Sequence, residues 1–336
     1  MRALFYLGKN NCAVQDAPMP QPGPGQVQIQ VQYGGICGTD LSIMAGKHPR
    51  AKAPLIMGHE FAGVVSRSHS VGLEPGDPVV VEPLISCGHC YACRAGYAYV
   101  CQRLGLYGID APGGFAEYVT VAADKVFKVP PSLPLNVAAL VEPVAVAVHA
   151  VRLSGLKYGD TVGVLGGGPI GLLIALVARQ SGPAQVFICE KEPFRLEIAR
   201  QYGLNVIDSA RENPEAIIME ATAGKGADIV FEAAGAPETM LLAPRLCCVR
   251  GELIQVSMPK TPREMDIVSI TFKELTLKGV RVYAPFDFAR AIQFVTGSGL
   301  NLIPLLSTPV PLEAAPAAFA RAAAGTDVMR VIFKVQ

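Results

Sequence analysis

Three groups of side chains in this sequence have the types and spacing to do chemistry. Cys87, Cys90, Cys93 and Cys101 form C-x2-C-x2-C-x7-C, four of the chain's nine cysteines within fifteen residues. Four thiolates on a short glycine-containing loop close a tetrahedron around Zn2+ and leave no open position, the pattern of a structural site. The spacing also admits an iron–sulfur cluster, but no proline follows the fourth cysteine and no second cluster motif accompanies it, which favours zinc. His89, inside the loop, is read as a bystander. The second group is looser: Cys37 sits in Gly35-Ile36-Cys37-Gly38-Thr39-Asp40, and His59-Glu60 follow Gly58 about twenty residues on. Taken singly, His59 reads as a core histidine and Cys37 as a buried thiol. Together, Cys, His and Glu make a mixed three-ligand set, which leaves a position open for water or substrate. A further carboxylate, Glu142, lies in the apolar helical stretch Leu140-Val141-Glu142-Pro143-Val144. Buried without a partner it would be costly, so it needs a cation or strong donors. An Arg or backbone donor meets that need, and so does the neighbourhood of a metal, which we favour.

The third group is a phosphate-type turn. Val162–Leu165 runs into Gly166-Gly167-Gly168-Pro169-Ile170-Gly171, a G-x-G-x-x-G between a strand and an apolar helix. The first glycine permits the tight turn, the second lets backbone approach a pyrophosphate, and the third lets helix and strand pack closely. The helix N-terminus then offers unpaired N–H groups and the positive end of its dipole. Glycine-rich turns also serve plain packing. What strengthens the dinucleotide reading is Glu190, 24 residues after Gly166 at the end of the next expected strand. A carboxylate there accepts from the adenosine ribose hydroxyls and repels a 2′-phosphate, which favours NAD over NADP. Lys191 and Arg195 blur that preference, and Arg195 is read as stacking on the adenine or solvating a helix face.

The elements that must position these groups follow from the pattern of the chain. Its 336 residues correspond to about two domains. Charged residues make up 17% and the net charge is +1, with no long basic run, which argues against nucleic acid and anionic membrane surfaces and for a small substrate. The uncharged stretch Thr161–Ala178 is broken by clustered glycines and does not read as a membrane span. Met1-Arg2-Ala3-Leu4-Phe5-Tyr6 meets Gly8 and Lys9 too early for a signal-peptide core, so a cytoplasmic protein is expected. Short runs at Gln26–Tyr33, Phe61–Ser66, Pro78–Glu82 and Ala116–Val121 read as strands of an antiparallel β domain. A helix is expected over Asn136–Ser154, followed by alternating strands and helices: strands at Thr161–Leu165, Gln185–Cys189, Asn205–Ile207, Asp228–Phe231, Leu253–Val256 and Leu275–Val280, and helices at Pro169–Gln180, Phe194–Tyr202 and Pro237–Leu246. Such alternation implies a doubly wound parallel sheet, an α/β fold. Helices at Asp287–Thr296 and Leu312–Ala324 and a strand at Arg330–Val335 close the chain.

With these motifs in place, the whole chain resembles the zinc-dependent medium-chain dehydrogenase/reductase family. The resemblance rests on Cys37-Gly38-Thr39-Asp40, Gly58-His59-Glu60-Phe61-Ala62-Gly63, the four-cysteine loop, Gly113-Gly114-Phe115-Ala116-Glu117-Tyr118, Glu142-Pro143 and the glycine turn. It looks most like the polyol, threonine and butanediol dehydrogenase branch. The resemblance implies a GroES-like β-rich catalytic domain, residues 1–147 and 281–336, interrupted by a Rossmann domain, residues 148–280, that binds NAD, with the active site in the cleft between them. It implies two zinc ions per chain. Cys37, His59 and Glu60 would hold the catalytic zinc, Glu142 would be an exchangeable ligand or a partner of zinc-bound water, and Cys87, Cys90, Cys93 and Cys101 would hold the structural zinc. Thr39 matches the hydroxyl that receives the substrate proton. Where relatives carry His five residues after the ligand cysteine, this chain has Ser42, and His48 is a candidate for the proton exit. Arg281 and Tyr283, near an Arg-Tyr pair that holds hydroxyls in sorbitol-like enzymes, are here separated by Val282. The implied reaction is oxidation of a secondary alcohol (polyol, sugar acid or related compound) to a ketone by a homodimer or homotetramer. L-Threonine 3-dehydrogenase or 2,3-butanediol dehydrogenase activity is the alternative within enzymes. Outside them, a non-catalytic dinucleotide-binding or redox-sensing protein would lack one or more ligands, and all are present.

Overall fold

The computed structural model describes Met1–Gln336. The chain forms two compact units, one of Met1–Glu142 with Ala284–Gln336 and one of Pro143–Tyr283.

In the first unit, β1 (Gln26–Gly35) alternates apolar and polar residues and buries Val27, Ile29 and Val31. That period of two is what a strand lining a core demands. β1 is flanked by β2 (Glu60–Ser68), antiparallel with Gly35 opposite Glu60 and Gly34 opposite Phe61. On its other side lies β9 (Ile332–Lys334), with Ile332 opposite Gly35. This register places three distant pieces of chain at one end of the seven-stranded sheet: Gly35 with Cys37 just beyond it, Glu60 with His59 just before it, and Arg330 just before β9. Between them the chain turns into α1 (Gly38–Met44), whose first turn is tied by the Cys37 N–H donating to Asp40 Oδ2 at 2.9 Å. α1 was not expected, because seven residues are too few to display a helical period. Phe115, Phe319 and Phe333 meet edge to face at the heart of this unit, with centroids 5.0–6.5 Å apart.

The helix expected over Asn136–Ser154 is two helices, Leu135–Ala138 and α2 (Val141–Leu153). Pro143 has no N–H to donate to the Ala139 carbonyl, so the helix restarts with the proline in its first turn, where no donor is needed.

The second unit is a six-stranded parallel sheet. Its strands are β3 (Thr161–Leu165), β4 (Gln185–Glu190), β5 (Asn205–Asp208), β6 (Ala227–Glu232), β7 (Cys247–Gln255) and β8 (Thr276–Gly279), in the order β5-β4-β3-β6-β7-β8. β3 is buried along its whole length, as a central parallel strand covered on both faces must be. It leads through the glycine turn into α3 (Pro169–Gln180), so the uncharged stretch is a strand, a turn and a helix. No helix is long and apolar enough to cross a membrane. β7 begins at Cys247, earlier than the expected Leu253, because Arg250 adopts φ 60° and the pairing with β6 shifts between Ala227 and Ile229, so the strand continues through an irregularity. The closing helix is likewise split, a short 3-10 turn at Leu312–Ala314 preceding Ala315–Ala324.

Phe115 is fully buried against the two other rings. Phe115→Ala is expected to cost about 3–5 kcal/mol of stability, read as a lower urea midpoint; a change under about 0.5 kcal/mol, the scale of a surface substitution, would contradict this packing.

Candidate metal centres and cofactor turn

The four loop cysteines converge. Their sulfurs all lie within 4.8 Å of one another, with separations of 4.0 Å for Cys87–Cys93, 3.5 Å for Cys90–Cys93 and 3.8 Å for Cys90–Cys101. Four sulfurs bonded at ~2.3 Å to a tetrahedral zinc stand ~3.8 Å apart, so the set fits that ion. Cys101 Sγ accepts the N–H groups of Cys87 and Arg103, both at 3.3 Å. Backbone N–H groups of Cys93 and Gln102 pull the Cys90 thiol down to about 6, whereas desolvation and the neighbouring sulfurs push Cys93 up.

Cys37, His59 and Glu60 also converge, their ligand atoms within 4.8 Å of one another. Burial alone would raise the Cys37 thiol, but His59, through charge and hydrogen bonding, and Arg330, through charge, bring it below its ordinary value. Burial alone would lower His59, but Asp40 and Cys37 raise it well above its ordinary value. Asp40 is fully buried on α1; its Oδ1 faces His59 Nδ1 at 3.7 Å, and neither atom has a hydrogen-bond partner. That orientation leaves Nε2 as the imidazole nitrogen available to a metal. Glu60 receives the guanidinium of Arg330, itself buried. A Cβ on Gly35 would stand 2.7 Å from Glu60 Oε2, so only glycine fits opposite this carboxylate. A half-buried thiol with a buried imidazole and carboxylate, the imidazole braced from behind, suits a divalent cation. Glu142, buried in the first turn of α2, is not a member of this trio. Asp40 and Arg330 were missed as site residues. Asp40 stood in the quoted motif and its type was the signal; Arg330 lies 270 residues from Glu60 and carries no local signal.

Thr39 is half-buried in the first turn of α1, and Ser42 lies one turn further on. His48 Nδ1 accepts the N–H groups of Arg50 at 3.3 Å and Ala51 at 3.2 Å, and burial together with Arg50 lowers its pKa. Arg281 is exposed while Tyr283 is fully buried.

At the glycine turn, Gly166 has φ 99° and a Cβ there would meet Ala234 at 2.9 Å, while a Cβ on Gly171 would stand 1.8 Å from the Gly166 carbonyl. These two are glycines because protein presses on them. A Cβ on Gly168, at the N-cap of α3, would meet only Arg195 Nη1 at 3.5 Å, which leaves that backbone open to a ligand. Pro169 and Ile170 begin α3. Glu190 is buried at the end of β4. Its Oε2 accepts the Gly167 N–H at 3.0 Å and stands 3.5 Å from Arg195, and its Oε1 accepts the N–H groups of Lys191 and Glu192. The carboxylate thus shapes the turn itself, a link the sequence reading did not make.

These features agree with what the chain is similar to. Residues 23–131 match the alcohol dehydrogenase GroES-like domain and residues 169–297 the zinc-binding dehydrogenase domain. A 2-dehydro-3-deoxy-L-galactonate 5-dehydrogenase of Pseudoalteromonas atlantica is 37% identical over 95% of this chain and 94% of its own. The crystal structure of a 2R,3R-butanediol dehydrogenase from Bacillus subtilis aligns with a TM-score of 0.92 at 30% identity, covering 100% of this chain and 99% of that one. A zinc-binding dehydrogenase from Sinorhizobium meliloti 1021 bound to NADP aligns with a TM-score of 0.94 at 31% identity, covering 99% of each. The chain belongs to the zinc-dependent medium-chain alcohol dehydrogenase family. It is an oxidoreductase of small-molecule alcohols that uses zinc and NAD(P).

Glu190→Ala removes the acceptor of three backbone N–H groups and is expected to weaken NAD binding by about tenfold or more in calorimetry; unchanged affinity would contradict the role given to Glu190. Cys90→Ser is expected to lose about one zinc per chain in metal analysis and to lower the thermal midpoint; full metal content would show that the four sulfurs do not form one site.

Proposed function

We propose that the protein oxidises a secondary alcohol in a polyol, sugar acid or related hydroxy compound to the ketone, reversibly, with NAD as the preferred hydride acceptor. The observation that carries this reading is the convergent trio Cys37, His59 and Glu60, braced by Asp40 and Arg330. In this reading the trio holds the catalytic zinc with Glu142 as an exchangeable ligand, and Cys87, Cys90, Cys93 and Cys101 hold the structural zinc. Bound zinc supplies a Lewis acid that makes an alcohol hydroxyl acidic, and bound NAD supplies the hydride acceptor.

The chain's own residues do the rest. Asp40 holds the Cys37 N–H and faces His59, so one carboxylate fixes two of the three ligand-bearing residues. Arg330 balances the charge of Glu60 and keeps it oriented. Thr39 takes the substrate's hydroxyl proton. His48 is ill suited to the next step, because its Nδ1 is already an acceptor of two N–H groups. Ser42, one turn from Thr39 and therefore on the same face of α1, is the next group on the route. In the second unit the Gly166–Gly171 turn with Gly168, Pro169 and Ile170 receives the pyrophosphate, and Glu190 takes the ribose and disfavours a 2′-phosphate, an effect that Arg195 beside it partly offsets.

The same proposal assigns catalysis to residues 1–147 and 281–336 and NAD binding to residues 148–280. It places the protein in the cytoplasm, consistent with nine free cysteines. A homodimer or homotetramer is supported by the edge position of β8 and by exposed Ile267, Val268, Phe272 and Leu277 around it.

The test is an NAD-reduction screen over polyols, sugar acids, L-threonine and vicinal diols. Turnover of a polyol or sugar acid is expected; turnover of L-threonine or 2,3-butanediol alone would overturn the substrate class, and none at all would contradict a catalytic role. Cys37→Ser is expected to abolish nearly all turnover while NAD affinity stays within about twofold, and near-normal turnover would sink the ligand assignment.

A further inference from the structure

Glu232 is fully buried at the last position of β6, and its carboxylate gathers five uncharged donors. Oε1 accepts the N–H groups of Ala234 at 3.1 Å and Gly235 at 2.8 Å and the hydroxyl of Thr239 at 2.7 Å. Oε2 accepts the Gln255 amide at 3.0 Å and the Ser257 hydroxyl. The Glu232 carbonyl also accepts the N–H groups of Val256 and Ser257, at 2.9 and 3.0 Å. One residue therefore ties together the segments that leave β6 and β7.

Those segments lie beside the glycine turn. Leu165, the last residue of β3, is opposite Glu232 in the sheet, and its carbonyl accepts the Ala233 N–H at 2.9 Å. Ala234 packs on Gly166 so closely that a Cβ there would collide with it. Strand order reverses between β3 and β6, and ligands of such sheets lie in the crevice beyond the strand ends at that point. With the adenosine side of the crevice at Glu190 on β4, the other half of a dinucleotide falls on the β6–β7 side.

We propose that Glu232 is a positioning residue that holds Ala234, Gly235 and Ser257 as a rigid wall for the nicotinamide half of the cofactor. This rests on the reading of the glycine turn and Glu190 as the site of the other half. A carboxylate buried with five donors is costly to replace by an amide of the same size, because a donor then faces donors. The wall loosens, and the part of the cofactor laid against it loses contacts while the adenosine half does not.

The experiment is calorimetric titration of the zinc-loaded full chain with NADH and, separately, with AMP. Glu232→Gln is expected to weaken NADH by about tenfold while AMP stays within about twofold. Ser257→Ala, which removes one donor from the rim of the network and keeps the fold if Glu232→Gln does not, is expected to weaken NADH about threefold with AMP unchanged. Wild-type NADH affinity in both variants would overturn the proposal. So would equal loss of NADH and AMP, the mark of a merely structural carboxylate. Failure of the unmodified protein to bind either ligand would overturn the cofactor reading beneath it, which separates the two failures.

Discussion

Buried charge at the end of one strand is the constraint on which the first unit depends. Asp40 and Glu60 bring two fully buried carboxylates beside the half-buried thiol of Cys37, and the chain itself answers with His59 and Arg330. Unpaired, such groups would cost several kcal/mol each. The requirement explains choices that otherwise look unrelated. Gly35 is glycine because a side chain would strike Glu60; Arg330 is buried because β9 pairs with β1 in the register that brings it there; Asp40 opens a short helix because Cys37 must be held by its N–H. In the proposed reading a divalent cation would complete the compensation and give the arrangement its chemistry.

The second unit applies the same logic to backbone donors. Where parallel strands end and helices begin, N–H groups are left without partners. Glu190 collects three of them at the end of β4 and Glu232 two at the end of β6, on either side of the glycine turn. Each carboxylate fixes a loop that would otherwise be free to adapt, and a fixed loop holds a ligand at lower entropic cost. The glycines divide accordingly: Gly166 and Gly171 are demanded by protein contacts, and Gly168 is left open.

How much of this was legible follows the range of the interactions. The four cysteines lie within one loop, and the turn, its strand and its helix are contiguous, so residue type and spacing revealed them; β3, α3 and the helix Pro237–Leu246 have the expected bounds. Cys37 with His59-Glu60 was legible as a donor set although α1 and a two-residue strand, Leu55–Ile56, lie between them. Interactions set by sheet register were not. Arg330 on Glu60 and Gln255 and Ser257 on Glu232 join residues distant in sequence, and nothing in the local pattern of either partner announces the other. The early start of β7 and the split before Pro143 were missed because an apolar period carries no information about a left-handed residue or a missing donor.

The most direct measurement of the central claim is zinc-edge X-ray absorption on the metal-replete protein. A four-sulfur site together with a site of one sulfur, one imidazole and one carboxylate predicts an average of about two and a half sulfurs per zinc at ~2.3 Å, with the remaining scatterers nitrogen or oxygen. An average of about four sulfurs per zinc, with no imidazole contribution, would show that Cys37, His59 and Glu60 hold no zinc.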